Sequence, residues 1–443
     1  MPMHHNHLFI FVSNYNNSIA LFDLATYSLE LSTLANNRKI WQVGVNTLLI
    51  LLGIAIGYLT MEVIFLYAVI PHLSLEKQSR LPPGLRPLAQ SSKKGLLPHH
   101  YIAVLGDSYA NGNGDWLLSV LKNLGNPNFQ SIHVLHEKTG RDVISYGESG
   151  ADSIYGLVTE PVQFDQYINH SWLLNLETPA LFIHYFYEGN DLNDNYERLK
   201  PFRRDDGTLD TQKLYEPRVL DDFIKNKAMF YAGFFDDIAP PWSGWKLKYL
   251  TRNLFLFQFL CGGLDCLTTK KKNPPSLDRF KKLNHFSINK VMIGETAVSL
   301  PDGMQGPGME LDEEETRASV WVFERSLAAL RNNYPNTPVI IAYLPSTLTA
   351  YRVLSKQVAL QSYMDRGNTF STYEMFARSD RLAAMIRDAS ERHGAIFADT
   401  RPVFRQAARK KLIHGPKDWL HFNQLGYTIL GEEMAHLVKN YGF

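Results

Sequence analysis

The chain is predicted to be an α/β protein, with a mostly parallel sheet covered by helices on both faces and one membrane-spanning helix before it. From Tyr101 onwards, short apolar runs alternate with amphipathic stretches, a pattern typical of strand–helix–strand units. Upstream, the run from Val43 to Met61 contains no charged residue over about the length of a bilayer crossing. The 443 residues carry a net charge of +1, so nothing indicates nucleic acid as a partner.

The alternation defines the elements in order. The strand candidates are 101–105, 142–146, 180–187, 338–344 and 395–399. The helix candidates are 115–124, 152–167, 312–333, 377–393 and 423–440. Asp312, with Glu315 three residues later, is a capping-box pattern at the start of one of these helices. In such sheets, ligands gather at the carboxyl ends of the strands.

The first hundred residues are predicted to form a polar tail (1–40), a transmembrane helix (41–70) and a linker (71–100). Trp41 and Tyr58 are residues that favour membrane interfaces. Basic residues flank the apolar run on both sides, and their excess after it leans against export of the following domain. A buried core helix is the alternative for this run. Histidines in the tail could bind a metal, but a flexible tail is the favoured interpretation.

The predicted domain, 101–443, contains an insertion at about 193–301 that does not follow the alternation. Within it, Trp242 to Phe259 mixes aromatic, basic and apolar residues. This composition fits a helix packed on the main domain and, as an alternative, a segment lying at a membrane surface. The chain has two cysteines, Cys261 and Cys266, and whether they pair is left open.

The stretch "YIAVLGDSYANGNGDW" places Ser108 where a buried strand turns into a helix. A serine hydroxyl is a poor nucleophile until a neighbouring base takes its proton. At this position the oxygen is exposed and the N–H groups of the helix end are close. The alternative interpretation is a serine that merely caps a turn, so a base is needed elsewhere in the chain.

A candidate base stands near the far end, where Asp418 precedes His421 by three residues. At that spacing both side chains project to the same side of a helical turn. The carboxylate could hold the tautomer of the imidazole and stabilise the imidazolium after proton transfer. The alternative is that Asp418 caps the final helix.

Two further positions follow strands. Asn190, in "YEGND", could donate its amide N–H to a developing oxyanion, and Gly150, in "SYGESGADS", could offer its backbone N–H. Each also fits an ordinary turn.

These blocks, in this order, resemble the SGNH (or GDSL) hydrolase family over about 101–192 and 337–441. The family's blocks are a GDS-type serine, a glycine after the second strand, an asparagine in G-x-N-D and a C-terminal D-x-x-H. The matching residues are Ser108, Gly150, Asn190, Asp418 and His421. The resemblance implies a three-layer α/β/α, flavodoxin-like fold with a five-stranded parallel sheet. It also implies a Ser-His-Asp triad, an oxyanion hole of Ser108, Gly150 and Asn190, and no metal or organic cofactor.

Two residues depart from the family's pattern. Tyr109 replaces a leucine, and Glu188 replaces the first glycine of G-x-N-D. The carboxylate of Glu188 is expected to crowd the oxyanion side unless it is paired or points away, and Glu148 is also close by in sequence. An α/β-hydrolase is disfavoured, because it would carry G-x-S-x-G and a widely separated acid and histidine.

The sequence therefore predicts a membrane-anchored serine esterase or O-acyltransferase, with its catalytic domain on the extracytoplasmic (periplasmic) side. Its expected substrates are ester groups, O-acetyl groups foremost, of a glycan or envelope polymer. The alternatives are a lipid esterase of the lysophospholipase type and an inactive binding module of the same fold. Expected partners are a small-molecule, glycan or lipid ester and the membrane, with no nucleic acid.

Overall fold

The computed structural model describes residues 20–73, 78, 81, 85–114, 128–169, 174–232, 256, 285–364 and 368–443. The chain divides into two compact units, Met1–Val63 and Ile64–Phe443. The predicted helix 115–124, both cysteines and all of the aromatic stretch 242–259 except residue 256 lie outside the described residues.

The first described element is the helix α1, Ala20–Ile64. Within the described part of the chain, one helical segment, Lys39–His72, is long and apolar enough to cross a membrane, with a mean hydropathy of 2.3. Two hydroxyls in it donate to carbonyls one turn back, Thr47 to Val43 at 2.8 Å and Thr60 to Ile56 at 2.9 Å. Polar groups satisfied within the helix are what a bilayer core requires. The prediction of an apolar helix of membrane length agrees with this finding.

The second unit contains ten strands in its described part. They are β1 (Ile102–Gly106), β2 (Val143–Ser145), β3 (Leu181–Tyr187), β4 (Lys290–Ile293), β5 (Thr296–Ser299), β6 (Val339–Leu344), β7 (Arg352–Val353), β8 (Gln357–Ala359), β9 (Thr369–Ser371) and β10 (Ile396–Asp399). The helices that accompany them are α2 (Arg86–Ala89), α3 (Ser108–Asn111), α4 (Ser131–Thr139), α5 (Glu160–Asn169), α6 (Asp191–Arg198), α7 (Thr211–Leu214), α8 (Pro217–Ala232), α9 (Glu313–Asn333), α10 (Thr372–Arg392), α11 (Arg401–Ala408) and α12 (Gln424–Asn440).

Five strands form the central sheet in the order β10-β6-β3-β1-β2, and every neighbouring pair is parallel. The predicted α/β fold with a five-stranded parallel sheet is confirmed. When its five strands are numbered along the chain, the sheet has the order 2-1-3-4-5, which is the flavodoxin-like doubly wound order. The direction in which successive strands are added reverses between β1 and β3. The carboxyl ends of those two strands are therefore the expected location of a site, and Ser108 and Asn190 follow them directly.

Side chains of the sheet alternate between two hydrophobic cores. Ala103 of β1 shares one core with Phe323 of α9, whereas Val104 shares the other with Leu430 of α12. Because both faces are covered, the strands read as continuous apolar runs rather than as alternating ones. The three predicted layers follow from this arrangement.

The structure confirms one predicted helix start and corrects another. The capping box of Asp312 and Glu315 is present, and α9 begins at Glu313. By contrast, α10 begins at Thr372, five residues before the predicted 377. The reason is a second capping box, in which the hydroxyl of Ser371 accepts the N–H of Glu374 while the Glu374 carboxylate accepts the N–H of Ser371.

Part of the segment predicted as a linker pairs with the edge strand β2. Gln90 donates its side-chain amide to Ser145 O at 2.7 Å, and its side-chain oxygen accepts Ser145 N–H at 2.8 Å. The hydroxyl of Ser92 donates to the Val143 carbonyl, and the carbonyl of Ser92 accepts the Val143 N–H. The otherwise open edge of the sheet is therefore covered at β2.

Candidate active site

The position of Ser108 is set by the turn that ends β1. Gly106 has a φ of +133°, and a Cβ built on it would lie 2.7 Å from the carbonyl oxygen of Tyr185. Only glycine fits there without displacing β3. Asp107 then caps α3 by accepting the N–H of Tyr109 at 2.9 Å. Ser108 follows as the first residue of α3, with 8% of its surface exposed.

The structure brings Ser108, His421 and Asp418 together in one hydrogen-bonded line. His421 Nε2 lies 2.9 Å from Ser108 Oγ, and His421 Nδ1 lies 2.6 Å from Asp418 Oδ2. The second oxygen, Asp418 Oδ1, accepts the backbone N–H groups of Leu420 at 3.0 Å and His421 at 3.3 Å. The carboxylate is thus fully engaged and fixed relative to the imidazole.

The charge of Asp418 decides the tautomer of His421. Burial opposes ionisation of Asp418, but the charge and hydrogen bond of His421 and the two backbone N–H groups outweigh it. The pKa of the carboxyl is therefore held below its ordinary value. An ionised carboxylate only accepts, so Nδ1 of His421 carries the proton. In the neutral imidazole, Nε2 then carries the lone pair, and it lies 2.9 Å from Ser108 Oγ.

Asp107 lies on the other side of the same hydroxyl. Ser108 Oγ is 3.2 Å from Asp107 Oδ2, so this carboxyl group and the imidazole compete for one proton. Burial raises the pKa of Asp107, although hydrogen bonds from Tyr109, Asn190 and Ser108 act against the rise. Ser108 Oγ lies closer to His421 Nε2, at 2.9 Å, than to this carboxyl group, so the imidazole is the nearer acceptor for the proton.

Asn190 stands next to the serine block through Asp107. Its side-chain amide donates to Asp194 Oδ2 at 2.9 Å and also bonds the Asp107 carboxyl group. Its oxygen, Oδ1, is buried with no partner among the described residues. Burial, followed by the charges of Asp107 and Asp152, raises the pKa of Asp194 to about 7. The amide proposed for an oxyanion is thus held by two carboxyl groups in the free chain.

Gly150 lies in an exposed loop beside α3. Its φ is +78°, and a Cβ built on it would meet no atom within 4 Å. The hydroxyl of the preceding residue, Ser149, accepts the side-chain amides of Asn111 at 3.1 Å and Asn113 at 2.7 Å. These bonds connect the Gly150 loop to the end of the helix that begins with Ser108. They also give this side of the site a polar rim.

Glu188, which was expected to crowd the site, and Glu148, which is close by in sequence, are both engaged. Glu148 pairs with Arg86 at 3.1 Å. Glu188 is fully buried and accepts four hydrogen bonds. The donors are Ser346 N at 2.8 Å, Tyr343 OH at 2.7 Å, Ser379 Oγ at 2.7 Å and Thr349 Oγ1. The expectation that Glu188 crowds the oxyanion is therefore corrected: these donors, from β6, the loop after it and α10, hold the carboxylate.

Sequence reasoning missed several residues that support the site. Asp194 lies four residues after Asn190 on α6, one helical turn away, and that spacing was a usable signal. Thr347, in the loop after β6, donates to the carbonyl of Trp419 within the Asp418–His421 turn at 3.1 Å. Its signal was a polar residue directly beyond the carboxyl end of a buried strand. Among the described residues, no cluster of three or more metal-binding side chains occurs.

Comparison with known proteins adds limited information. No protein-family model and no curated protein sequence matches the chain. Among solved structures, an acetyl xylan esterase from the rumen bacterium Butyrivibrio proteoclasticus is similar at a TM-score of 0.30 and 9% identity, covering 77% of this chain. The chain covers 63% of that esterase's own length. An alpha/beta hydrolase enzyme from the metagenome of Lake Arreo, Spain, gives a TM-score of 0.30 and 11% identity, covering 77% of this chain and 95% of its own. The activity of this chain therefore has to be argued from its own residues.

Proposed function

We propose that the chain is a serine-dependent esterase or O-acyltransferase of the SGNH type. One observation carries the proposal. Asp418 Oδ2, the two ring nitrogens of His421 and Ser108 Oγ form a continuous hydrogen-bonded line with steps of 2.6 and 2.9 Å. A base within hydrogen-bonding reach of a hydroxyl, itself oriented by a carboxylate, is the arrangement that activates a serine.

In the first half of the reaction, Ser108 Oγ forms a bond to the carbonyl carbon of an ester while its proton passes to His421 Nε2. The carbonyl oxygen becomes an oxyanion. When the tetrahedral intermediate collapses, the bond to the leaving alkoxide breaks, and His421 returns the proton to that oxygen. The alcohol departs and an acyl group remains on Ser108. Asp418 stabilises the imidazolium throughout.

The N–H groups of Ser108 and Gly150 and the amide of Asn190 are the proposed oxyanion donors. Asn190 donates to Asp194 and Asp107 in the free chain. An oxyanion is a strong acceptor, so we expect the amide to exchange one carboxyl partner for it as charge develops. Donors aimed at developing charge contribute more to the rate than contacts made equally in the ground state.

In the second half, an acceptor hydroxyl attacks the acyl carbon while His421 takes its proton, and Ser108 Oγ leaves with that proton. If the acceptor is water, the reaction is hydrolysis; if it is an alcohol, it is acyl transfer. Both outcomes use the same residues. The polar rim of Asn111, Asn113 and Ser149 supports an alcohol half that carries further hydroxyl groups, as in a glycan O-acetyl ester.

We propose that the Lys39–His72 segment anchors this activity to a membrane, with the catalytic domain on the extracytoplasmic side. The length and apolar character of the segment support the anchor. The alternative of an inactive binding module would be favoured by a free Glu188 carboxylate beside the oxyanion donors, and it is weakened because four donors engage that carboxylate.

Replacing Ser108 tests the proposal. Ser108→Ala should lower kcat/KM for p-nitrophenyl acetate by roughly 10³ to 10⁶, because the acyl-enzyme cannot form. Labelling of the folded chain by a fluorophosphonate probe should disappear with it. Ser390→Ala is the matched control, since the Ser390 hydroxyl is buried and donates to the Ile386 carbonyl of its own helix. Parent-like turnover by Ser108→Ala, or no adduct at Ser108 in the parent, would refute the assignment.

A further inference from the structure

The turn that carries Asp418 and His421 has no regular secondary structure of its own. Residues 418 to 421 lie between β10 and α12, outside any helix or strand. Its geometry therefore depends on what its backbone groups bond to, since buried carbonyls need partners. Three successive carbonyls of the turn each receive a bond from a different part of the chain.

The donors of these bonds are one backbone N–H and two side-chain hydroxyls. The carbonyl of Asp418 accepts Gly415 N–H at 3.0 Å, and that of Trp419 accepts the hydroxyl of Thr347 at 3.1 Å. The carbonyl of Leu420 accepts the hydroxyl of Tyr109 at 2.7 Å, across 311 residues of sequence. The shortest of the three bonds thus comes from the residue immediately after Ser108.

We propose that Tyr109 is a positioning residue, which holds the Asp418–His421 turn at reacting distance from Ser108 through its hydroxyl bond to the Leu420 carbonyl. This inference rests on the proposed function of Ser108 and His421. A leucine, the residue of the resembling family at this position, has no hydroxyl and could not form the bond.

The ring of Tyr109 adds to the effect of its hydroxyl. Tyr109 is fully buried, and its ring centroid lies 5.4 Å from that of His421 and 5.0 Å from that of Phe422, which it meets edge-on. On its other side it packs against Tyr187 at 4.3 Å. The same side chain therefore contacts both the residue before His421, through its hydroxyl, and the imidazole itself, through its ring.

The hydroxyl of Tyr109 keeps the proton with which it donates to the Leu420 carbonyl. Burial, followed by the neighbouring phenols and Asp107, raises the pKa of Tyr109 well above its ordinary value, so the group keeps its proton. Because Ser108 and Tyr109 are adjacent in α3, a shift of Tyr109 relative to Leu420 changes the Ser108–His421 distance directly. Misplacement by an ångström in a catalytic constellation can cost about 100-fold in rate.

Tyr109→Phe tests the inference, because it keeps the ring and deletes the donor. In the full-length chain in detergent we expect kcat for p-nitrophenyl acetate to fall about 10- to 100-fold. The KM should not change, and the pH profile of kcat/KM should shift as the base is displaced. Tyr185→Phe is the matched control, since its buried hydroxyl bonds Ser131 at 3.3 Å and has no link to the turn. Its kcat should equal the parent's.

If Tyr109→Phe melts far below Tyr185→Phe, kcat is compared at a temperature at which both variants are folded. A kcat below that of Tyr185→Phe then supports the inference, and an equal kcat overturns it. A well-folded Tyr109→Phe with the parent's kcat and pH profile also overturns it.

Failure of the proposed function is distinguishable. If the parent neither hydrolyses the ester nor reacts with a fluorophosphonate, the serine assignment fails. The position of the turn is then read from the downfield proton resonance of His421 Nδ1. Tyr109→Phe must shift that resonance, relative to Tyr185→Phe, for the positioning role to stand.

Discussion

Two buried carboxylates near the carboxyl edge of the sheet differ in the kinds of hydrogen-bond donor that surround them. Asp418 is 1% exposed and accepts two backbone N–H groups and the imidazole of His421. Glu188 is fully buried and accepts three hydroxyls and one backbone N–H. Both are saturated with donors, yet only Asp418 is connected through His421 to Ser108, the proposed nucleophile.

The difference lies in the donors. The hydroxyls and the amide around Glu188 do not change charge near neutral pH, so this carboxylate can only hold β6, its loop and α10 together. The donor to Asp418 is an imidazole, which can carry a proton on one or on both of its ring nitrogens. Under the proposed function, Asp418 differs from Glu188 in having a partner that takes part in proton transfer, and burial by itself does not distinguish the two.

The largest effect is expected at the functional carboxylate. Asp418→Asn should lower kcat for a soluble ester by about 10⁴, because the new amide would donate to Nδ1 and leave Nε2 protonated. The secondary structure should change little, since the shape of the side chain and its two backbone contacts are kept. Steady-state kinetics with far-UV circular dichroism checks both. A variant with the parent's kcat would remove the basis for distinguishing Asp418 from Glu188.

Replacing Glu188 should have the reverse effect: stability should fall, and the reactivity of Ser108 should stay the same. Glu188→Gln should lower the free energy of unfolding by about 2 kcal/mol, since hydrogen bonds to a charged group are lost or weakened. The rate at which a fluorophosphonate labels the folded fraction should stay at the parent's value. Glu295→Gln, in the exposed turn between β4 and β5, is the control for loss of a negative charge. Slower labelling without loss of stability would place Glu188 in the reaction instead.

Much of this arrangement could be predicted from sequence where the signal is local. The apolar run of β3 and the polar residues beyond it locate the sheet edge, and the spacing of Asp418 and His421 indicates their pairing. The direction in which Glu188 points could not be predicted. Its donors come from positions up to 191 residues away, and which of them it meets depends on the packing of β6 and α10.

The same limit applies to Tyr109. Its identity is plain in the sequence, but its partner is a backbone carbonyl 311 residues later. Backbone carbonyls carry no sequence signal, because every residue has one. The proposed positioning role of such a bond can be inferred only when the turn is seen beside Ser108.

A third carboxyl group, Asp194, should have a smaller effect, and this effect is on stability. The pH dependence that Asp194 gives to the free energy of unfolding should be opposite in sign to the one from Asp418. Its pKa is raised to about 7, first by burial and then by Asp107 and Asp152. In the unfolded chain the same group ionises near pH 4. Stability that is present below about pH 4 is therefore lost as the pH rises towards 7. For Asp418, whose folded pKa is lowered, stability is instead lost as the pH falls.

Asp194→Asn should accordingly match the parent at pH 4 and exceed its free energy of unfolding at pH 8 by an amount on the order of 2 kcal/mol. The asparagine oxygen can still accept the amide of Asn190, so that contact is kept. Denaturant titrations at the two pH values measure the difference, with Asp205→Asn on the exposed surface as control. An equal gain at both pH values would mean that the effect comes from packing rather than from the charge of Asp194.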